Sequence, residues 1–262
     1  MGRPKEEGCN IQDKGMSFYI NFYNMKNTLL LAAFTMTGLL AFAQNDVIND
    51  KNAEKRNVAG FHAINISSGI DLYFSQGDET VAVSASEVSD RDKIRTEVSG
   101  GVLKIYMENK GFHWGMRGNR KLRAYVSCKV LDGLVASGGS DVFIKDVLKG
   151  DKLDMNLSGG SDLKGKVAVA SLSIIQSGGS DSFISGTVSD LTVRVSGGSD
   201  FHGYDLVSEQ CRADASGGSD VHLTANKELS ADASGGSDVY YKGAAVIRNK
   251  HASGGSSISH KG

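Results

Sequence analysis

The chain has 262 residues, including 33 glycines and one proline, and its formal net charge at pH 7 is −1. Without a basic excess, nothing in the composition indicates nucleic acid or an anionic membrane surface as a partner, and we expect no nucleic acid to bind. The length allows one large domain or two small ones.

The N-terminal region is typical of an export signal. From Met25 a short positive start leads into an apolar stretch from Leu29 to Leu40, and then to Ala41-Phe42-Ala43 before Gln44. A charged start, about a dozen apolar residues and small residues at the cut define a secretory signal peptide. The stretch is shorter than the roughly 20 residues of a membrane span. We therefore predict an exported protein that is periplasmic, cell-surface or extracellular, with no stable membrane insertion.

The segment that follows the signal is irregular. Apolar and polar residues alternate over short stretches, which predicts β-strands; the stretches are 61–66, 70–74, 102–107 and 122–126. A loop at 111–120 carries Phe112, His113 and Trp114. These aromatic side chains are equally compatible with two roles: filling the open end of the coil and binding a ligand.

From Ser137 onwards one motif recurs at spacings of 18–21 residues. The copies begin at Ser137, Ser158, Ser177, Ser196, Ser216, Ser234 and Ser253. Six copies read Ser-Gly-Gly-Ser-Asp, and the last ends in Ser257. Paired glycines permit positive φ, and serine and aspartate hydrogen-bond turns, so each copy predicts a tight turn. The turn residues are Gly138, Gly139, Asp141, Gly159, Gly160, Asp162, Gly178, Gly179, Asp181, Gly197, Gly198, Asp200, Gly217, Gly218, Asp220, Gly235, Gly236 and Asp238. Weaker relatives occur at Ser67–Asp71 and Ser99–Val102.

Apolar and polar residues alternate on both sides of each motif. Five residues before it stand Leu153, Leu172, Leu191, Cys211 and Leu229, and three before it Leu134, Met155, Ile174, Val193, Ala213 and Ala231. A period of two predicts strands with one buried face, and each repeat is expected to carry two short strands around its glycine turn. Strands of one direction, joined by connections too short for a helix, can pair in register only by coiling. The sequence therefore predicts an all-β protein, a parallel β-helix (β-solenoid) with about 19 residues per repeat.

These features divide the chain into five parts. We expect 1–24 to be an upstream start artefact, 25–43 the signal peptide, 44–57 a linker, 58–130 an irregular N-terminal β part or cap, and 131–262 the regular repeats. The 58–130 part is either a degenerate start of the solenoid or a capping β-subdomain, because an open solenoid end exposes edge strands.

Several of these motifs together resemble a known bacterial family. They are Phe61-His62-Ala63-Ile64, Gly69-Ile70-Asp71-Leu72, Gly101-Val102-Leu103-Lys104-Ile105 and the Gly-Gly-Ser-Asp turns. The set resembles the family called putative auto-transporter adhesin, head GIN domain, over the region from about Gly60 to the end. The resemblance implies an exported β-helical domain of Gram-negative bacteria, with cell adhesion as its proposed role and no catalytic residues.

Two further columns of the repeat are candidates for chemistry. The motif aspartates would form a row about 5 Å apart, which either caps the turns or binds Ca²⁺, as in calcium solenoids of shorter repeat. Two residues further on is an outward column, Phe143, Lys164, Phe183, His202, His222 and Tyr240. Exposed aromatic rows mark interaction surfaces, and the alternatives are stacking between repeats or contact with the N-terminal part. His202 and His222 supply two metal ligands without an evident third, so we expect no metal and no cofactor.

Cys128 and Cys211 are predicted to be free thiols. Counting repeats places Cys128 in the strand before Ser137, four coils and about 19 Å from Cys211, whereas a disulfide needs Cα atoms within about 7 Å.

The sequence favours a non-enzymatic exported scaffold, either an adhesin or a module that contacts glycans or cell surfaces. One alternative is a carbohydrate-active enzyme, a polysaccharide lyase or hydrolase on a β-helix, although no Ser-His-Asp or Cys-His set stands out. Another is an envelope accessory protein. The oligomeric state stays open.

Overall fold

The computed structural model describes residues 50–108 and 120–262. In chain order its elements are β1 (Glu54–Lys55), β2 (Ala63–Ile66), β3 (Asp71–Gln76), β4 (Thr80–Ser84), α1 (Val88–Arg91), β5 (Ile94–Ser99), β6 (Val102–Met107), β7 (Arg123–Cys128), β8 (Gly133–Ala136), β9 (Val142–Ser158), β10 (Leu163–Ser177), β11 (Ser182–Val195), β12 (Asp200–Gly217), β13 (Asp220–Gly235), β14 (Asp238–Lys242), β15 (Val246–Gly254) and β16 (Ser257–His260). The predicted signal peptide and the aromatic residues at 112–114 lie outside the described residues.

The strands from β8 to β16 stack in parallel as a β-solenoid, which confirms the predicted fold. Leu172 pairs with Leu191, Leu191 with Cys211, and Cys211 with Leu229, so the predicted columns are in register. The sequence pattern predicted two short strands per repeat. Instead, each strand from β9 to β13 runs without interruption from one Ser-Gly-Gly turn to the next and bends on the way.

At the N-terminal end the spatial order of the coils differs from their order in the chain. Strand β2 pairs in parallel with both β6 and β8, and β3 pairs in parallel with both β7 and β9. The coil of β2 and β3 therefore lies between the β6–β7 coil and the regular repeats. Its turn at Ser67–Asp71 stacks on the turn at Ser137, where Ser137 N–H donates to the carbonyl of Ile66 at 3.0 Å.

The outermost N-terminal coil is closed by antiparallel strands. Strand β5 pairs antiparallel with β6, β4 with β7, and β1 with β4. Ser99–Val102 is the turn of the β5–β6 hairpin, so reading it as a relative of the solenoid turns was wrong. Antiparallel strands cover backbone groups that an open solenoid end would expose. Residues 58–130 thus contain two coils, β2–β3 and β6–β7, together with antiparallel capping strands.

The core fills the inside of the coils and depends on size matching between neighbours. A Cβ at Gly165 would lie 2.7 Å from the Cβ of Ile144, and one at Gly203 would lie 2.3 Å from Cε1 of the fully buried Phe201. Real side chains cannot approach so closely, and overpacking a core costs about 1–3 kcal/mol. Glycine in these strands is therefore required by the bulk of the adjacent side chain.

Both described cysteines are free, as predicted, and both are buried, but the predicted position of Cys128 was wrong. Cys128 ends β7 and pairs with Gln76 of β3, whereas the strand before Ser137 is β8. The two thiols lie in different strand columns, since Cys211 pairs with Leu191 and Leu229. Burial raises the pKa of each thiol to about 12, so neither is a reactive thiolate at neutral pH.

No helix within residues 50–108 and 120–262 is long and apolar enough to cross a membrane.

Candidate functional site

The stacked turns hold one face of the solenoid in register. Gly138 has φ 65° and Gly139 has φ 74°, in the left-handed region that side chains resist. At later turns only the first glycine is left-handed, as with Gly197 at φ 78°, so the expectation of two such glycines per turn holds for the early turns alone. The turns also approach closely: a Cβ on Gly217 would lie 2.9 Å from the carbonyl oxygen of Gly197.

The second serine of the motif points inward and forms a buried hydrogen-bond ladder. The second serines are Ser140, Ser161, Ser180, Ser199, Ser219 and Ser237, all of which are 0% exposed. We use the name serine ladder for Ser140, Ser161, Ser180 and Ser199, whose N–H and Oγ groups bond from turn to turn. The hydroxyls of Ser219 and Ser237 instead donate to the carbonyl of the first serine of their own turn. Ser140 N–H donates to Oγ of Ser161 at 3.0 Å, and Ser180 N–H donates to Oγ of Ser199 at 2.9 Å. Each such bond satisfies a backbone donor that no strand partner reaches, because the chain is turning there.

The motif aspartates form a second ladder on the outside of the turn. This aspartate ladder comprises Asp141, Asp162, Asp181, Asp200, Asp220 and Asp238. Oδ1 of Asp162 accepts the N–H of Asp181 at 3.1 Å, and Oδ1 of Asp200 accepts that of Asp220 at 3.0 Å. Backbone donors thus compensate the charge of the row, which supports the turn-capping interpretation. At the end of the row, the Ser257 hydroxyl lies 2.6 Å from Asp238, and this hydrogen bond lowers the pKa of that carboxyl.

The outward column is in register and is longer than the sequence predicted. We call the full set the aromatic column: Tyr125, Tyr73, Phe143, Lys164, Phe183, His202, His222 and Tyr240, which pair in that order from coil to coil. Lys164 and Phe183 are exposed, and the other members are half-buried. Strand pleating places all of them on one face. Seven members follow the motif aspartate, or Asp71, by two residues, and Tyr125 takes the same position through its pairing with Tyr73.

The rings of the aromatic column stack on one another in two groups. The first group is Tyr125, Tyr73 and Phe143, with centroids 5.4 and 5.1 Å apart. The second is Phe183, His202, His222 and Tyr240, with centroids 4.5, 5.4 and 5.1 Å apart. Planes are within 27° of parallel in both groups. Stacking between repeats, one alternative that the sequence left open, is therefore present.

Lysine ammonium groups cover the ends of these stacks. Nζ of Lys164 lies 5.4 Å from the centroid of Phe183, and Nζ of Lys261 lies 4.5 Å from that of Tyr240. Nζ of Lys145 lies 6.0 Å from the centroid of Tyr125. A cation over a ring face is attracted by the ring quadrupole. The column therefore carries positive charge at its ends and at its one interruption, Lys164.

The two histidines lie in neighbouring coils, as predicted, with planes 14° apart. Burial, followed by the nearby His202, lowers the pKa of His222 below its usual value. Across residues 50–108 and 120–262 no group of three or more His, Cys, Asp or Glu side chains is placed to hold a metal ion.

The surface formed by the strands before each turn is different in character. Asp214 bridges Arg194 and Arg212, each at 3.3 Å, and Arg212 also reaches Asp232 at 4.0 Å. The arginines are more than half exposed, and exposed ion pairs contribute little stability. The exposed apolar side chains Val135, at 37%, and Ile175, at 39%, also stand on this face.

Sequence reasoning missed three features of the site. Tyr73 follows Asp71 as Phe143 follows Asp141, so aligning the weak Ser67 turn with the others would have found it. Tyr125 follows no turn motif, and only its pairing with Tyr73 reveals its place. The buried role of the second motif serine was not distinguished from that of the first.

Stacked turns, uninterrupted parallel ladders and a regular surface column define this protein as a β-solenoid whose repeats present one continuous face. The chain belongs to the family described as putative auto-transporter adhesin, head GIN domain, whose model matches residues 60–245.

Solved structures share this fold. A putative adhesin from Bacteroides fragilis superimposes with a TM-score of 0.72 at 19% identity, covering 80% of this chain and 96% of that one. A putative lipid binding protein from Parabacteroides distasonis gives a TM-score of 0.62 at 22% identity, covering 81% and 98%. A putative adhesin from Parabacteroides merdae gives 0.63 at 16% identity, covering 80% and 95%. A search of curated proteins found no match.

Proposed function

We propose that this protein is a non-enzymatic exported scaffold that binds a glycan or another cell-surface ligand through the aromatic column. The observation that carries the proposal is the column itself: partly exposed rings and one lysine in register over eight coils. Soluble proteins seldom expose contiguous apolar surface, and such surfaces mark interaction sites. The adhesin description of the family supports this role.

The chemistry beside the column suits a ligand rich in hydroxyl groups. The aspartate ladder precedes it by two residues on the same strands and supplies acceptors on one side. On the other side stand Lys145, Lys166 and Lys242, two residues after the column on their strands, as donors. Aromatic side chains accompanied by a few ordered donors and acceptors are also the composition of small-molecule sites.

Export supports the same role, because a ligand on a cell surface or in the medium is met only outside the cytoplasm. The pattern of residues 25–43 predicts a secretory signal. Regularity supports the non-enzymatic part of the proposal: acids recur at one position of each turn, whereas a catalytic site gathers different groups at one place.

A glycan array with the purified exported protein tests the proposal. We expect binding to a restricted set of glycans, with no release of sugar fragments when the bound glycans are incubated with the protein. Absence of binding to any glycan or bacterial cell surface would contradict the scaffold role. Appearance of reducing ends or unsaturated sugars would instead favour the carbohydrate-active enzyme.

A further inference from the structure

Most ring faces in the aromatic column are already occupied by other rings. Tyr73 has a ring on each side, at 5.4 and 5.1 Å, and so has His202, at 4.5 and 5.4 Å. A ligand approaching these residues meets ring edges, hydroxyl groups and imidazole nitrogens. Sugar rings, by contrast, pack their C–H groups on aromatic faces.

The column is interrupted at Lys164, which pairs with Phe143 on one side and Phe183 on the other. Two coil spacings of ~4.8 Å place those phenyl rings about 9.6 Å apart. A six-membered ring midway between them would lie about 4.8 Å from each, within the range at which rings stack. Phe143 ends one stack and Phe183 ends the other, so the interruption is the place in the column where the two stacks end on either side of one coil.

The flexible side chain of Lys164 belongs to the coil between these two rings. Lys164 is exposed, and its ammonium lies 5.4 Å from the centroid of Phe183. A lysine stem has four rotatable carbons and swings into solvent at small cost. Its neighbours Lys145 and Lys166 are also exposed. Within the part of the chain that the structure describes, none of the three forms an ion pair with a carboxylate.

We infer that the break at Lys164 is a subsite for one pyranose unit that carries a negative charge, within a longer polysaccharide. The sugar ring stacks between Phe143 and Phe183, and its carboxylate pairs with Lys164 and the adjoining lysines. The carboxylate points away from the aspartate ladder, because Asp162 precedes Lys164 on the strand and Lys166 follows it. This inference rests on the proposed function, since it names the ligand class of the same face.

Oligogalacturonate and a neutral galacto-oligosaccharide of equal length are the probes. Titration calorimetry with the exported protein is expected to show binding of oligogalacturonate at least about tenfold tighter than of the neutral oligosaccharide. Equal affinities, or a preference for the neutral oligosaccharide, would overturn the inference and leave the proposed function standing. Binding of neither probe, together with an empty glycan array, would overturn both.

Two variants at Lys164 separate the two contributions to binding, which are the space between the phenyl rings and the positive charge. Lys164→Phe fills the space with a side chain that both neighbouring coils accept at this position, and it should abolish oligogalacturonate binding while raising the melting temperature. Lys164→Met keeps an unbranched apolar stem and removes one of the three positive charges, so it should reduce the preference for oligogalacturonate over the neutral probe.

Lys250→Met is the matched control, because Lys250 is an exposed lysine in β15, away from the column. It should bind oligogalacturonate like the unchanged protein. Undiminished oligogalacturonate binding by Lys164→Phe would exclude the subsite. A loss of preference in Lys250→Met equal to that in Lys164→Met would show that overall charge, and not the break, attracts the probe.

Discussion

The hydroxyl of Ser199 accepts the backbone N–H of Ser180 at 2.9 Å and that of Gly179 at 3.1 Å, and it does so in a fully buried position. One side chain thus satisfies two donors of the preceding turn. The same arrangement, with one donor, recurs at Ser161 and Ser180. The serine ladder therefore explains why the residue directly after the glycine pair is not simply a polar surface residue.

Ser199→Ala should lower the free energy of unfolding by about 1–3 kcal/mol, because it leaves buried N–H groups without a partner. Urea denaturation followed by circular dichroism measures the change. Ser177→Ala is the control: Ser177 is the half-buried first serine of a turn, and its replacement should stay within about 0.5 kcal/mol. Equal effects of the two changes would show that the ladder does not stabilise the fold.

Asp200→Ala should cost about 1 kcal/mol, because Oδ1 of Asp200 accepts the N–H of Asp220 at 3.0 Å. Asp200→Asn keeps a carbonyl acceptor and removes one charge of the row, so its stability should equal or exceed that of the unchanged protein. Thermal melting compares the variants.

The same melting experiment tests the calcium alternative for the aspartate ladder. If backbone N–H donors compensate the negative charge of the aspartate ladder, CaCl₂ should raise the melting temperature no more than NaCl at equal ionic strength. A rise in melting temperature that is specific to calcium and is lost in Asp200→Asn would instead show that the aspartate ladder binds Ca²⁺.

Stability should depend on pH through His222. Burial and His202 lower its pKa in the folded protein below the usual value of 6.5, so the unfolded chain takes up the proton first. The contribution of neutral His222 to the free energy of unfolding is complete above about pH 6.5. It is lost as the pH falls through the lowered pKa of His222 in the folded protein. His222→Phe preserves a ring in the stack and removes this titration. Its melting temperature should fall less than that of the unchanged protein between about pH 7 and pH 5; parallel curves would contradict this account.

The solenoid could be predicted because local pattern and global pairing agree. Residues such as Leu172 and Leu191 repeat at the coil length, and parallel pairing then brings them into contact. The N-terminal coil order could not be predicted, since nothing local in β2 shows that it pairs with both β6 and β8. Insertion of one coil between two others is decided by long-range strand pairing.

The candidate site was predictable to the same extent. Position in the repeat revealed Phe183 and Tyr240, whereas the stacking of the rings depends on side-chain orientation that the period of two does not determine. The exposure of the column was overestimated, because neighbouring rings bury much of each other. Replacing its members therefore removes stacking of about 0.5–1.5 kcal/mol per pair as well as surface.

The most direct test of the central claim is the affinity of the exported protein for its best glycan on the array, compared with the variant Phe143→Ser/Phe183→Ser/Tyr240→Ser. Ile175→Ser is the control, because Ile175 lies outside the aromatic column, on the face formed by the strands before each turn. Its exposed fraction, 39%, is close to the 42% of Phe183. Circular dichroism below the melting transition establishes that each variant is folded; if the triple variant is not, Phe183→Ser alone takes its place. The account predicts binding at least about tenfold weaker in the column variant and unchanged binding in Ile175→Ser. Unchanged affinity in a folded column variant would contradict it.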